Sequence, residues 1–129
     1  MKLDTSVRYL KSHEWVRKED DQIVIGITDY AQSTLSDIVY IELPEVGDTL
    51  DKGEQYGVVE SVKAAADVYL PMGGEVVAIN EELEDTPELV NEEAFGKGWM
   101  VRLNPANPDE WDTLLDAAGY QKVVEEESN

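Results

Sequence analysis

One lysine stands where its amine could be put to chemical use. In Tyr56-Gly57-Val58-Val59-Glu60-Ser61-Val62-Lys63-Ala64-Ala65-Ala66-Asp67-Val68-Tyr69-Leu70, Lys63 lies mid-segment, with Gly53 ten residues before it and Gly74 eleven after. Glu60 to Ala66 are good helix formers, whereas Tyr56–Val59 and Val68–Leu70 carry strand-forming types. On a helix Lys63 is an ordinary solvated charge. On a hairpin it is held at a tip, exposed for a reason. A helix that short is marginal without an amphipathic face, and here Val62 has only Ala65 and Ala66 as its i+3 and i+4 neighbours. A hairpin has its own difficulty, because tight turns favour residues tolerant of positive φ and Val62-Lys63-Ala64 offers none. Periodicity alone leaves the two readings level. A conflict between local chemistry and apparent structure is itself a mark of functional sites.

The remaining chemistry is sparse. There is no cysteine, which removes disulfides, thiolate nucleophiles and cysteine zinc sites together. A lone histidine, His13, cannot build an HExxH or His-rich metal site. No EF-hand spacing, phosphate-cradling glycine loop or Ser-His-Asp set is readable. An enzyme made from this chain would work with carboxylates, tyrosines and lysines, so a binding or carrier role is favoured. The formal charge is −19, with ten basic residues in no cluster, which argues against nucleic acid, whose affinity comes mainly from Lys/Arg contacts to phosphates. Such acidity describes a solvated surface, or one steering toward basic partners. No apolar run approaches the ~20 residues of a membrane span. Met1–Thr5 has neither a signal peptide's apolar stretch nor a transit peptide's Arg/Ser bias, so we expect a cytoplasmic, single-domain chain over 1–129.

The elements that must position Lys63 are mostly strands. In Gln22–Thr28, Ile23, Ile25 and Ile27 alternate with Val24 and Gly26, a short buried strand. An acidic turn at Asp20-Asp21 joins it to the segment following Ser12-His13-Glu14-Trp15, as in a hairpin. Asp29 with Gln32 three residues on resembles a loose capping box, predicting a short helix. Ile38–Leu43 is a strand ended by Pro44, and Glu75–Asn80 is another. Thr86-Pro87 opens a short helix, and Trp99–Leu103 is a last strand. At the C-terminus, Asn107-Pro108 caps a helix in which Trp111, Leu114, Leu115 and Ala118 share a face and Gly119 ends it. Trp111 is expected as a core anchor, and the helical extension spans about 107–127. The class is mainly β: a flattened sandwich or barrel with one early helix and C-terminal helices.

Several segments then weigh together. Ser12-His13-Glu14-Trp15, Gly26–Gln32, Asp37–Asp48, Ser61–Tyr69, Gly73–Asn80, Thr86–Asn91 and Gly96–Met100 resemble, in order and spacing, the landmarks of the glycine cleavage system H-protein family. They cover the chain from about residue 7 to residue 120. The resemblance implies a lipoyl/biotinyl-carrier-like fold of two antiparallel sheets, with Lys63 at the tip of the attachment hairpin carrying lipoic acid in amide linkage. The disulfide chemistry missing from a cysteine-free chain is then the cofactor's. The protein is implied to be a carrier, not an enzyme. It would take the aminomethyl group of glycine from the pyridoxal-phosphate-dependent glycine decarboxylase (P protein) to the tetrahydrofolate-dependent aminomethyltransferase (T protein). Dihydrolipoamide dehydrogenase (L protein) would reoxidise it, and a lipoate ligase or lipoyl/octanoyl transferase would modify it. A monomer is expected.

Residue by residue, Glu60, Ser61, Val62 and Ala64 match the family's modification motif and are expected to be read by the lipoylating enzyme. Glu14 and Asp67 match positions suited to pairing with the cationic amine of a loaded arm. Ala66 stands where the family usually has Ser, Ser36 where it has Gly, and Ala94-Phe95 where it has Pro-Tyr. Rival readings are a lipoate-relay protein serving protein lipoylation, the lipoyl or biotinyl module of another acyl-transfer complex, and a small acidic enzyme. Biotinyl tips usually flank the lysine with methionine, where this chain has Val62 and Ala64.

Overall fold

The strands follow from alternation and turn chemistry, and they build two antiparallel sheets. The computed structural model describes residues 1–128. In chain order the elements are β1 (Arg8–Tyr9), β2 (Glu14–Glu19), β3 (Gln22–Ile27), α1 (Asp29–Leu35), β4 (Ile38–Glu42), β5 (Thr49–Leu50), β6 (Gln55–Ser61), β7 (Ala65–Tyr69), β8 (Gly74–Ile79), α2 (Glu82–Asp85), α3 (Leu89–Glu92), β9 (Val101–Pro105), a 3-10 turn (Pro108–Thr113) and α4 (Ala117–Ser128). One sheet has six strands in the order β1-β2-β3-β9-β8-β5, the other three in the order β4-β6-β7.

The main core lies between the sheets. Val16, Ile23, Ile25, Ile27, Val76, Val101 and Leu103 from the larger sheet meet Ile38, Ile41, Tyr56, Val59 and Val68 from the smaller. Burial of this apolar area is the main favourable term in folding. β3 is apolar on its other face too, where Val24 joins a second cluster of Val7, Tyr9, Trp15, Tyr120 and Val124 beneath α4. This explains why Gln22–Ile27 reads as a nearly continuous apolar run. Gly26 sits opposite Trp15, and a Cβ there would lie 2.9 Å from the indole. Trp15 Nε1 donates to the carbonyls of Ile27 and Ala94, so the buried ring has no orphan donor.

Several local expectations are corrected. The α1 cap is Thr28, not Asp29: Thr28 Oγ1 accepts from Ala31 N at 3.1 Å. Asp29 occupies the first turn and accepts from Gln32 Nε2. Thr86-Pro87 precedes a turn rather than capping by its side chain, and α3 begins at Leu89. The C-terminal helix is split. Leu115 exchanges main-chain hydrogen bonds with Tyr9, which pulls the chain out of helix after the 3-10 turn. Helix resumes where Asp116 Oδ1 accepts from Gly119 N at 2.8 Å, so Gly119 lies at the start of α4 rather than at an end. Trp111 is only half-buried, with the cations of Lys18 and Arg8 over its ring at 4.5 and 5.4 Å. Leu114, Tyr120 and Val124 are the buried C-terminal anchors.

Candidate attachment site and its neighbouring cavity

The hairpin reading of the Lys63 segment is the correct one. β6 and β7 pair antiparallel, with Val58 opposite Asp67, Val59 opposite Ala66 and Glu60 opposite Ala65. Strand pairing thus overrides the helix propensity of the alanines, as tertiary context commonly does. The tip lacks a residue at positive φ; among the described residues these are His13, Asp20, Ser36, Gly47 and Gly53. Ser61 supplies what the turn residues do not. Its main-chain N–H donates to the Ala64 carbonyl at 2.8 Å. Its Oγ accepts from Lys63 N at 3.2 Å and Ala64 N at 3.1 Å. This is how a serine caps the first turn of a helix, used here to close a hairpin. Val62 N donates to the Asp37 carbonyl at 3.0 Å, which fastens the tip to the α1–β4 junction.

Lys63 is therefore an exposed side chain on a fixed backbone, and none of the ion pairs among the described residues involves it. Glu60, Val62 and Ala64 are exposed around it, and Ser61 is half-buried. Further down, Gly57 is required by close approach: a Cβ there would run into the Glu42 carbonyl of β4.

Beside the hairpin lies a cavity of about 130 Å³, walled by Ala66, Asp67 and Val68 of β7, by Ala31, Thr34 and Leu35 of α1, by Ile27, and by the Ser12-His13 loop. Asp67 is exposed and accepts from Gln55 Nε2 at 3.1 Å. Glu14 is 1% exposed and is not a wall residue. One carboxylate oxygen accepts from Ser12 Oγ at 2.5 Å and the other from Tyr69 N at 2.9 Å. Burial pushes its carboxyl up to about 7, against the opposing effect of these donors. The structure thus brings Asp67 to the cavity and sets Glu14 behind it, joined through Ser12. His13, Thr28 and Tyr120 join the walls by hydrogen bonds, a role that no sequence pattern assigns to them. The only signal was the His13-Glu14 pair within Ser12–Trp15.

Two apposed antiparallel sheets, with a lysine exposed on a tight hairpin tip, define the lipoyl/biotinyl-carrier class of fold. The family model for the glycine cleavage H-protein matches residues 7–127. The chain is similar to the glycine cleavage system H protein of Shewanella baltica strain OS155, 56% identical over 126 residues, covering 97% of this chain and 98% of that protein. It is likewise 55% identical over 126 residues to that of Shewanella oneidensis. The crystal structure of a glycine cleavage system H protein from Mycobacterium marinum superposes with a TM-score of 0.88 at 31% identity, covering 95% of this chain and 99% of that one. The chain belongs to the glycine cleavage H-protein family. A carrier role in the glycine cleavage system follows from that membership.

Proposed function

We propose that Lys63 is the residue that bears lipoic acid, through an amide on Nζ. The observation that carries this reading is the tip itself: an exposed lysine outside every ion pair among the described residues, on a turn fixed by Ser61. Amide formation needs an accessible primary amine, and a fixed tip spares the modifying enzyme the entropy of ordering a loose loop. Glu60, Ser61, Val62 and Ala64 present the surface that a lipoate ligase or lipoyl/octanoyl transferase would read. When attached, the group supplies a disulfide that opens to a dithiol, chemistry no side chain of this protein has. The protein conveys the aminomethyl unit of glycine from a pyridoxal-phosphate-dependent glycine decarboxylase to a tetrahydrofolate-dependent aminomethyltransferase. Dihydrolipoamide dehydrogenase returns it to the oxidised state. It acts as a monomeric carrier in the bacterial cytoplasm and is itself turned over as a substrate.

Within this reading the cavity shelters the loaded end of the arm. Asp67, open to solvent, offers its carboxyl group to a cationic amine. Glu14 has both oxygens engaged and acts through Ser12. Formaldehyde release from loaded Asp67→Asn and Glu14→Gln is expected to outpace wild type, and wild-type rates in both would end the sheltering role. The shuttle is tested by glycine–bicarbonate exchange with the partner enzymes added. Exchange that depends on lipoylated protein and vanishes in Lys63→Arg is expected. A lipoylated protein that supports no exchange would point instead to lipoate relay or to another acyl-transfer complex.

A further inference from the structure

We propose that Tyr120 is a positioning residue that holds two walls of the cavity together, so that α4 governs how closed the cavity is. The identity of what the cavity shelters rests on the carrier reading above; the geometry does not.

The Tyr120 hydroxyl lies 2.7 Å from Thr28 Oγ1 and 2.8 Å from His13 Nδ1. These partners belong to two different walls. Thr28 caps α1 and accepts from Ala31 N, and Ala31 lines the cavity. His13 lines it from the opposite loop, where its backbone is held at φ 80°. His13 Nε2 reaches Glu127 on the last turn of α4 at 2.8 Å. One arrangement of protons satisfies every group. Thr28 Oγ1–H donates to Tyr120, Tyr120 O–H donates to His13 Nδ1, and Nε2–H donates to Glu127. Burial raises the Tyr120 hydroxyl well above its usual range, so it remains a donor. Helix α4 thus grips the loop twice and the α1 cap once.

A main-chain bond also joins these two walls, Thr28 N donating to the His13 carbonyl at 2.9 Å. The Tyr120 ring is placed independently of its hydroxyl. It stacks on Tyr9 with centroids 4.4 Å apart and planes 7° from parallel, and Tyr9 is tied by its main chain to Leu115 just before α4. Tyr120→Phe therefore removes the tie and leaves the packing.

Amide hydrogen exchange on the unmodified protein reads the walls directly. In Tyr120→Phe we expect at least about tenfold faster exchange at Ser12–Glu14 and Ala31–Leu35, the factor that loss of about 1.4 kcal/mol of local protection produces. Exchange in β8 and β9 should not change. Formaldehyde release from the loaded variant should rise several-fold, while its lipoyl mass increment stays that of wild type. Glu127 is half-exposed and gives a variant pair that does not threaten folding. Glu127→Ala should show part of the effect, and Glu127→Gln, which keeps an acceptor for Nε2–H, should restore wild-type behaviour. Wild-type exchange at the walls in both Tyr120→Phe and Glu127→Ala would overturn the proposal, as would acceleration spread evenly over β8 and β9. Faster wall exchange with unchanged release would overturn the claim that α4 governs closure. Failure of the shelter reading looks different: loaded wild type would then release formaldehyde as fast as the same protein unfolded by heat.

Discussion

The hairpin tip and the cavity beside it are built in opposite ways. At the tip, the hydrogen bonds that close the turn join Ser61 to Lys63 and Ala64, residues at most three apart, and the single outside tie is Val62 N to Asp37. Behind the cavity walls, Tyr120 reaches Thr28 and His13 across most of the chain, and Glu14 reaches Tyr69 on another sheet. The tip is exposed and satisfied by its own residues. The groups that tie the walls together, Glu14, Thr28 and Tyr120, are buried, and they are satisfied only if the whole fold is assembled. A group that enzymes must reach belongs on the first kind of structure, and a group that water must not reach belongs behind the second.

The largest expected effect separates the hairpin from its support. Gly57→Ala places a methyl against the Glu42 carbonyl, so β4 must move off β6. A loss of more than about 3 kcal/mol is expected from such overpacking, read by urea unfolding. The second prediction bears on the carboxyl group buried behind the walls. Glu14 titrates near 7 when folded against an ordinary 4.5, so the folded state holds its proton more tightly than the unfolded chain. Its contribution to stability is fully present below about pH 4.5 and is lost as pH rises through about 7. The stability of wild type relative to Glu14→Gln should therefore fall by roughly 3 kcal/mol between pH 4 and pH 8. A flat difference in paired unfolding curves would show that Glu14 is not a buried carboxyl.

The same contrast explains what the sequence made legible. The tip's contacts are local, so Gly53, Gly74 and the β-branched flanks sufficed to frame a hairpin, although the alanines pulled toward helix. What could not be read was how the turn closes, because Ser61 does it with a side chain rather than with residues at positive φ. The cavity walls depend on α4, whose start at Ala117 the spacing of apolar residues does not give. Trp111, Leu114, Leu115 and Ala118 do fall at helical spacing, but pairing of Leu115 with Tyr9 breaks the helix and shifts α4 so that Tyr120 faces inward. No periodicity in Trp111–Gly119 encodes a bond to Tyr9. Ser36, by contrast, stands out through the family resemblance, as a residue where the family usually has Gly, and it adopts φ 68°, ψ −149°.

Two smaller predictions sharpen the comparison. Ser61→Ala leaves the Lys63 and Ala64 amides without their acceptor and should cost about 1 kcal/mol, with faster exchange at those two amides and none at the cavity walls. Ser36→Gly relieves a backbone region that is nearly glycine-only and should stabilise the protein by about 1 kcal/mol, seen as a higher urea midpoint at unchanged slope.

The central claim is that the exposed, locally held Lys63 is the attachment point. It is tested most directly by intact mass of wild type and Lys63→Arg after co-expression with a lipoylating enzyme and lipoate. A lipoyl-sized increment on wild type, mapped to the peptide containing Lys63 and absent from a folded Lys63→Arg, is the predicted result. An unmodified wild type, or an increment that persists in Lys63→Arg, would contradict it.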